Sequence, residues 1–274
     1  MHLCGRWNYD KKNKMKIVTI IYLLISYPIF SLGQTKQFAD KSLKSEDYLK
    51  LGFPSVEKIW SADDYEKATQ ILVSIYSKNK FQLPRKYSAN SSAIFNKISN
   101  LNNLKSIKKR EFQLRTSEYN RIYKCVIKLN NIYGEAGSGE ISGMGFSSEI
   151  IDIMIMVGFI SIESSQGVNE YIDSKSKTIT NSQKQQLEKT FKKHEGGLNK
   201  VISGFFDLIQ LEYLFFLKKD ILTLSHFYIK VIPQSVNLLS TKDFIEIKKR
   251  IDEIIKNHEY TEIKADMRIL KKKI

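Results

Sequence analysis

The run SQKQQLEKTFKKHEGGLNKVISGFFDLIQLEYLFFL, residues 182–217, decides the fold. Positions Leu187, Phe191, His194, Leu198, Val201, Ile202 and Phe205 step by 4, 3, 4, 3, 1 and 3, the period of a helix seam rather than the alternation of a strand. The seam passes straight through Gly196-Gly197. The spacing therefore predicts one long helix, with any kink at the two glycines, running on through Phe206, Leu208, Ile209, Leu211, Leu214 and Phe215 to Leu217. Its second half is apolar nearly all round, and such a helix needs neighbours on several sides.

A second segment of the same character, residues 150–162, is built of Ile and Met behind a Ser147 cap, with Glu149, Asp152 and Glu163 as its polar edge. It is too short to span a bilayer and reads as a core helix. Around these two, helical spacing recurs. Ser61 caps a helix to Lys78, with Asp63 and Asp64 opposing the positive helix end and Trp60 placed to staple its entry. Thr116 or Ser117 opens another, which ends at Tyr133 with Gly134 as a left-handed stop. Residues 221–239 form a helix split near Ile229 by Pro233, and Ser240 or Thr241 caps the last clear helix with its stripe Phe244, Ile247, Ile251, Ile254 and Ile255. Short helices are expected at 45–51, 93–98 and 102–109, loops at 134–145 and 164–181, and a frayed basic tail at 271–274. No strand-length alternation occurs anywhere. The fold class expected is all-α: a single antiparallel, bundle-like domain of about six to eight helices over residues 61–274, preceded by an N-terminal arm at 34–60.

The first 33 residues read differently. Lys16 is followed by an uncharged run to Leu32 containing Pro28, and Ser31-Leu32-Gly33 places small residues at both positions that a signal peptidase inspects. Residues 1–33 are thus expected to be a signal peptide, with Met15 as the start and cleavage before Gln34; a retained N-terminal membrane anchor is the alternative. The leader resembles those of Gram-negative bacteria that end in Gly-Gln or Ala-Gln, which implies a periplasmic or extracellular destination. Removing it leaves 241 of the 274 residues, and takes Arg6, Lys11, Lys12, Lys14, Lys16 and Asp10 from 44 Lys+Arg and 29 Asp+Glu to give 39 and 28, a net +11. In an exported chain that charge favours an anionic envelope component or a protein partner over nucleic acid, although lysine is spread along the whole chain. Cys125 is the one cysteine outside the leader, so no intramolecular disulfide is possible and packing must supply stability.

Chemical motifs fail on inspection, and no catalytic, cofactor-binding or metal-ligating residue is assigned. Gly137, Gly139 and Gly143 miss the dinucleotide fingerprint by one residue and follow a helix where that motif needs a strand. His194-Glu195 opens a zinc-protease motif, but Leu198 stands where the second histidine belongs. Cys125 falls on a buried helix face, where a thiolate is disfavoured. The run Lys105, Lys108, Lys109, Arg110 and Arg115 reads as a solvated face, and Glu149 with Asp152 as an amphipathic edge. The function expected is therefore a non-enzymatic, exported, macromolecule-binding helical protein, of a size that suits an inhibitor or immunity-type partner. Two alternatives are a hydrolase of envelope material using Asp152, Asp207 or Glu212, and a binder of lipid or another apolar ligand between helices.

Overall fold

Capping fixes where the helices begin. In the computed structural model, which describes residues 40–137, 143–175, 180–212 and 216–274, helix α1 spans Ser45–Lys50 and closes on Gly52, whose φ of +85° is the left-handed conformation that glycine adopts without strain. Helix α2, Ala62–Lys78, starts from a reciprocal cap: the Ser61 hydroxyl accepts from the Asp64 backbone N–H, and the Asp64 carboxylate accepts from the Ser61 N–H at 3.0 Å. Trp60 lies edge-on against Tyr65 with ring centroids 5.2 Å apart, so the expected staple forms. Helices α3 (Ser92–Ile98), α4 (Leu101–Lys108), α5 (Phe112–Gly137), α6 (Ser147–Lys175) and α7 (Asn181–Asp207) follow, α7 closing in a π-turn at Leu208–Glu212. Helices α8 (Lys218–Val231), α9 (Thr241–Asn257) and α10 (Thr261–Lys273) complete the chain. Pro233 sits in the 3₁₀ turn that ends α8, and Ser240 caps α9 by accepting from the Asp243 N–H.

The fold is all-α. Among the described residues there is no strand, and the helices of 13 residues or more are α2 and α5 to α10. Asp40–Ile274 forms one unit. Its interior holds two apolar clusters, and α6 supplies both. Ile153, Met156 and Ile160 face Trp60, Leu72, Tyr119 and Tyr133 on one side, while Ile151 and Ile162 face Phe205, Tyr228, Ile251 and Met267 on the other. This is why α6 is apolar nearly all round. By length and composition α6 is also apolar enough to cross a membrane, but half of its most apolar window is buried between α5, α7 and α8.

Several boundaries differ from the sequence reading: α5 opens at Phe112, so that Thr116 and Ser117 lie inside it and cap nothing, and in four further places burial extends a helix that local residue preference would end, or ends one that it would extend. Helix α5 passes through Gly134 to Gly137, since Ile132, Tyr133, Ala136 and Gly137 continue its buried face and the Tyr133 hydroxyl donates to the Pro84 carbonyl at 2.8 Å. Residues 164–175, expected as loop, remain in α6. Ser165, Gly167 and Val168 are buried, the Phe112 ring stacks on Tyr171 at 4.2 Å, and a Cβ on Gly167 would stand 2.8 Å from the Arg115 guanidinium. The long helix does not reach Leu217, which is the N-cap residue of α8 with its N–H bonded to the Ser147 hydroxyl at 3.0 Å. Finally, the basic tail is the end of α10, anchored by buried Ile263, Met267 and Leu270 and by Lys271 on Asp252 at 2.6 Å. The leader, the middle of the glycine-rich stretch and the side chains of His194 and Glu212 lie outside the described residues.

Candidate functional site

A buried polar cluster lies where the N-termini of α6 and α8 meet the loop that follows Pro84. Glu149, in the first turn of α6 and 3% exposed, accepts from the Lys86 backbone N–H at 2.6 Å and from Arg85 Nε at 3.3 Å. The Arg85 guanidinium also lies 4.0 Å from the centroid of the Phe146 ring. One turn along α6, Asp152 forms an ion pair with Lys86 Nζ at 2.8 Å. Burial pushes the Asp152 carboxyl above its ordinary range while Lys86 pulls it back. Burial alone would lower Lys86; its bond to Asp152 outweighs that and raises it.

Asp220 occupies the first turn of α8 and is 3% exposed. It accepts from both serines that open α6, Ser147 Oγ at 2.6 Å and Ser148 Oγ at 2.9 Å. Each buried carboxylate therefore sits at the positive end of a helix and accepts further hydrogen bonds, which is how buried charge is tolerated. Of the two ammonium groups nearby, that of Lys86 is held inward by Asp152 with its side chain 22% exposed, whereas Lys219 is exposed. Lys86 and Lys219 lie 5.6 Å and 4.4 Å from the centroid of the Tyr87 ring, and Tyr87 is 68% exposed.

The structure brings together Glu149 and Asp152 as expected, but binds each to a cation instead of leaving a pair free for proton transfer. In the basic run 105–115, Lys105, Lys108, Lys109 and Arg110 are exposed, as a solvated face requires, and Lys108 reaches Glu163 at 3.0 Å, Arg115 reaches Glu170 at 3.2 Å and Arg110 pairs with Glu118. Asp207 is at the surface, 2.6 Å from Arg250. Cys125 is buried, which raises its thiol pKa; the groups acting on it are Thr69, Glu66, Lys128 and Arg121, none of them a histidine. His226 stands 3.4 Å from Asp266, whereas His258 is buried and bonded to the Ile209 carbonyl and the Tyr260 N–H. Among the described residues no group of three or more His, Cys, Asp or Glu is arranged to hold a metal ion. Trp60 is enclosed in the core and offers no stacking face to a ligand.

Sequence reasoning missed Arg85, Lys86, Ser148 and Asp220. The only local hint is a carboxylate at the third position of α8 and a basic pair after a proline; the partners are 63 to 73 residues apart and leave no trace in spacing. Set against known proteins, the chain matches no family model, no curated protein and no solved structure.

Proposed function

We propose that this is an exported protein that binds another macromolecule without chemically transforming it, in the manner of an inhibitor or immunity-type partner. One observation carries the reading. The carboxylates best placed for acid–base chemistry serve as ties between elements: Glu149 and Asp152 hold the loop after Pro84, Asp220 joins α8 to α6, and Asp207 joins α7 to α9. A general acid or base needs an uncommitted proton site within reach of substrate. What faces solvent at this junction is the Tyr87 ring and the Lys219 ammonium group, which suit recognition rather than proton transfer.

Two measurements test the proposal. Cell fractionation with N-terminal sequencing should find the chain outside the cytosol, beginning at Gln34; an intact leader in the cytosolic fraction would remove the export premise. Purified residues 34–274, incubated with peptidoglycan, lipopolysaccharide and phospholipid, should leave all three unchanged while retaining a stoichiometric partner from envelope extract. Turnover of any substrate that disappears in Asp152→Asn would replace binding with hydrolysis, Asp152 being the carboxyl that burial has already raised.

A further inference from the structure

We infer that His226 and Asp266 form a binding site for a divalent transition metal ion of the zinc type, placed between α8 and α10. The inference goes beyond the macromolecule-binding reading above and does not depend on it. It starts from a carboxylate that the fold leaves unsatisfied. Asp266 is 6% exposed, its Oδ2 is enclosed with no hydrogen-bond partner, and no lysine or arginine pairs with it among the described residues. Burying a carboxylate without donors or a cation is costly, and elsewhere this chain avoids that cost: Glu149 and Asp220 each accept two hydrogen bonds or more. What Asp266 Oδ2 faces instead is Nε2 of His226, 3.4 Å away.

That separation is the second observation. It exceeds the about 2.7–3.2 Å of an N–H···O hydrogen bond. It matches the bite of a tetrahedral metal centre, in which Zn–N of about 2.0–2.1 Å and Zn–O of about 2.0–2.2 Å place the two donor atoms about 3.3–3.5 Å apart. The donor types select the ion. An imidazole nitrogen with a carboxylate oxygen suits Zn²⁺, Ni²⁺ and Cu²⁺, whereas Mg²⁺ and Ca²⁺ are held by oxygen. Access is the third observation. The His226 side chain is 58% exposed, so an ion can enter from solvent and keep water in its remaining positions while Asp266 supplies charge from the buried side. Buried Ser225 and Tyr228 fix α8 around His226, and buried Met267 and Leu270 fix α10 around Asp266, so both donors stand on rigid elements before an ion arrives. Two protein donors are fewer than the three or four of a permanent centre, so binding should be reversible and of modest affinity.

The test compares wild type, His226→Gln, Asp266→Asn and the remote control Lys105→Gln in the untagged chain from Gln34, each first stripped with a chelator. Titration with ZnCl₂ should saturate wild type at about one equivalent per chain and raise its melting temperature by a few degrees. CoCl₂ should develop the visible absorption of a tetrahedral Co²⁺ centre, and MgCl₂ should do neither. Zinc affinity should fall at least roughly tenfold in His226→Gln and in Asp266→Asn, with Lys105→Gln within about twofold of wild type. His226 is exposed, so its variant should fold as wild type does, with circular dichroism as the check. A measurement without metal separates the site from a simple ion pair. Asp266→Asn removes a charge that the fold leaves unmatched, so the metal-free variant should melt at or above wild type. If it melts below wild type and His226→Gln shows the same loss, the two residues satisfy each other and the metal site falls. Zinc binding that persists in both site variants would put the ion elsewhere and overturn the assignment, as would a zinc titration of wild type that shows no binding. An equal response to MgCl₂ and ZnCl₂ would overturn the ion class.

Discussion

Gly158 has no side chain, and the ring of Tyr228 fills the space. A Cβ built there would lie 2.6 Å from the Tyr228 hydroxyl oxygen, 3.0 Å from its Cζ and 3.1 Å from Cε1 of Phe227. Two effects compete when Gly158 becomes alanine. Helix propensity gains up to about 1 kcal/mol, while overpacking costs typically 1–3 kcal/mol. Tyr228 is 1% exposed and stacked on Phe205 at 4.1 Å, so it has little room to move and overpacking should win. Gly158→Ala is expected to lower the melting temperature by a few degrees, roughly what a loss of about 1 kcal/mol produces in a chain of this size. Adding Tyr228→Phe removes the nearest atom and should recover part of the loss; a double-mutant cycle with no coupling would show that the two residues do not meet. At this scale the sequence discloses residue type but not partner. Asp220 looks like any helix-opening carboxylate, and only the fold delivers Ser147 and Ser148 to it from 73 and 72 positions away.

Helices show the reverse balance, because much of what starts them is local. The Ser61–Asp64 and Ser240–Asp243 caps each close over three residues, so they can be read directly. Helix ends are less legible where tertiary packing opposes local preference. Gly134 looks like a stop and the Ser- and Gly-containing residues 164–175 look like a loop, yet both lie inside helices whose buried faces continue past them. This makes Gly134 diagnostic. In a left-handed stop, alanine would be strained. Inside α5 a Cβ meets nothing within 4 Å, so Gly134→Ala should stabilise the protein by about 0.5–1 kcal/mol. Denaturant unfolding would show it as a higher midpoint at unchanged slope. A lower midpoint would restore the shorter helix.

Across the whole molecule, charge is organised around α6. Its acidic edge, Glu149, Asp152, Glu163 and Glu170, receives Arg85, Lys86, Lys108 and Arg115, so part of the basic excess is spent holding the N-terminal helices onto the central one. At the opposite end the link between α7 and the C-terminal pair depends on a neutral group. His258 Nδ1 accepts from the Tyr260 N–H, which leaves Nε2–H to donate to the Ile209 carbonyl in the π-turn. Burial lowers the His258 pKa below 6.5, and the bond to Ile209 only partly offsets this. A depressed pKa means that the unfolded chain takes up the proton first as pH falls. The contribution of His258 is thus complete above about pH 6.5 and is lost as pH drops through its folded value. Asp40 and Asp64 are held below 3.8, and Glu66 and Glu262 below 4.5, so their contributions persist until more acid conditions. Asp152, raised by burial, acts in the opposite sense and gains stability toward acid. Denaturation midpoints taken between about pH 7.5 and 5 should therefore fall for wild type and stay flatter for His258→Gln, whose amide can still donate to Ile209. Because the cause is desolvation rather than surface attraction, added salt should leave the difference in place. The assignment fails if the variant keeps the wild-type slope, or if salt abolishes it.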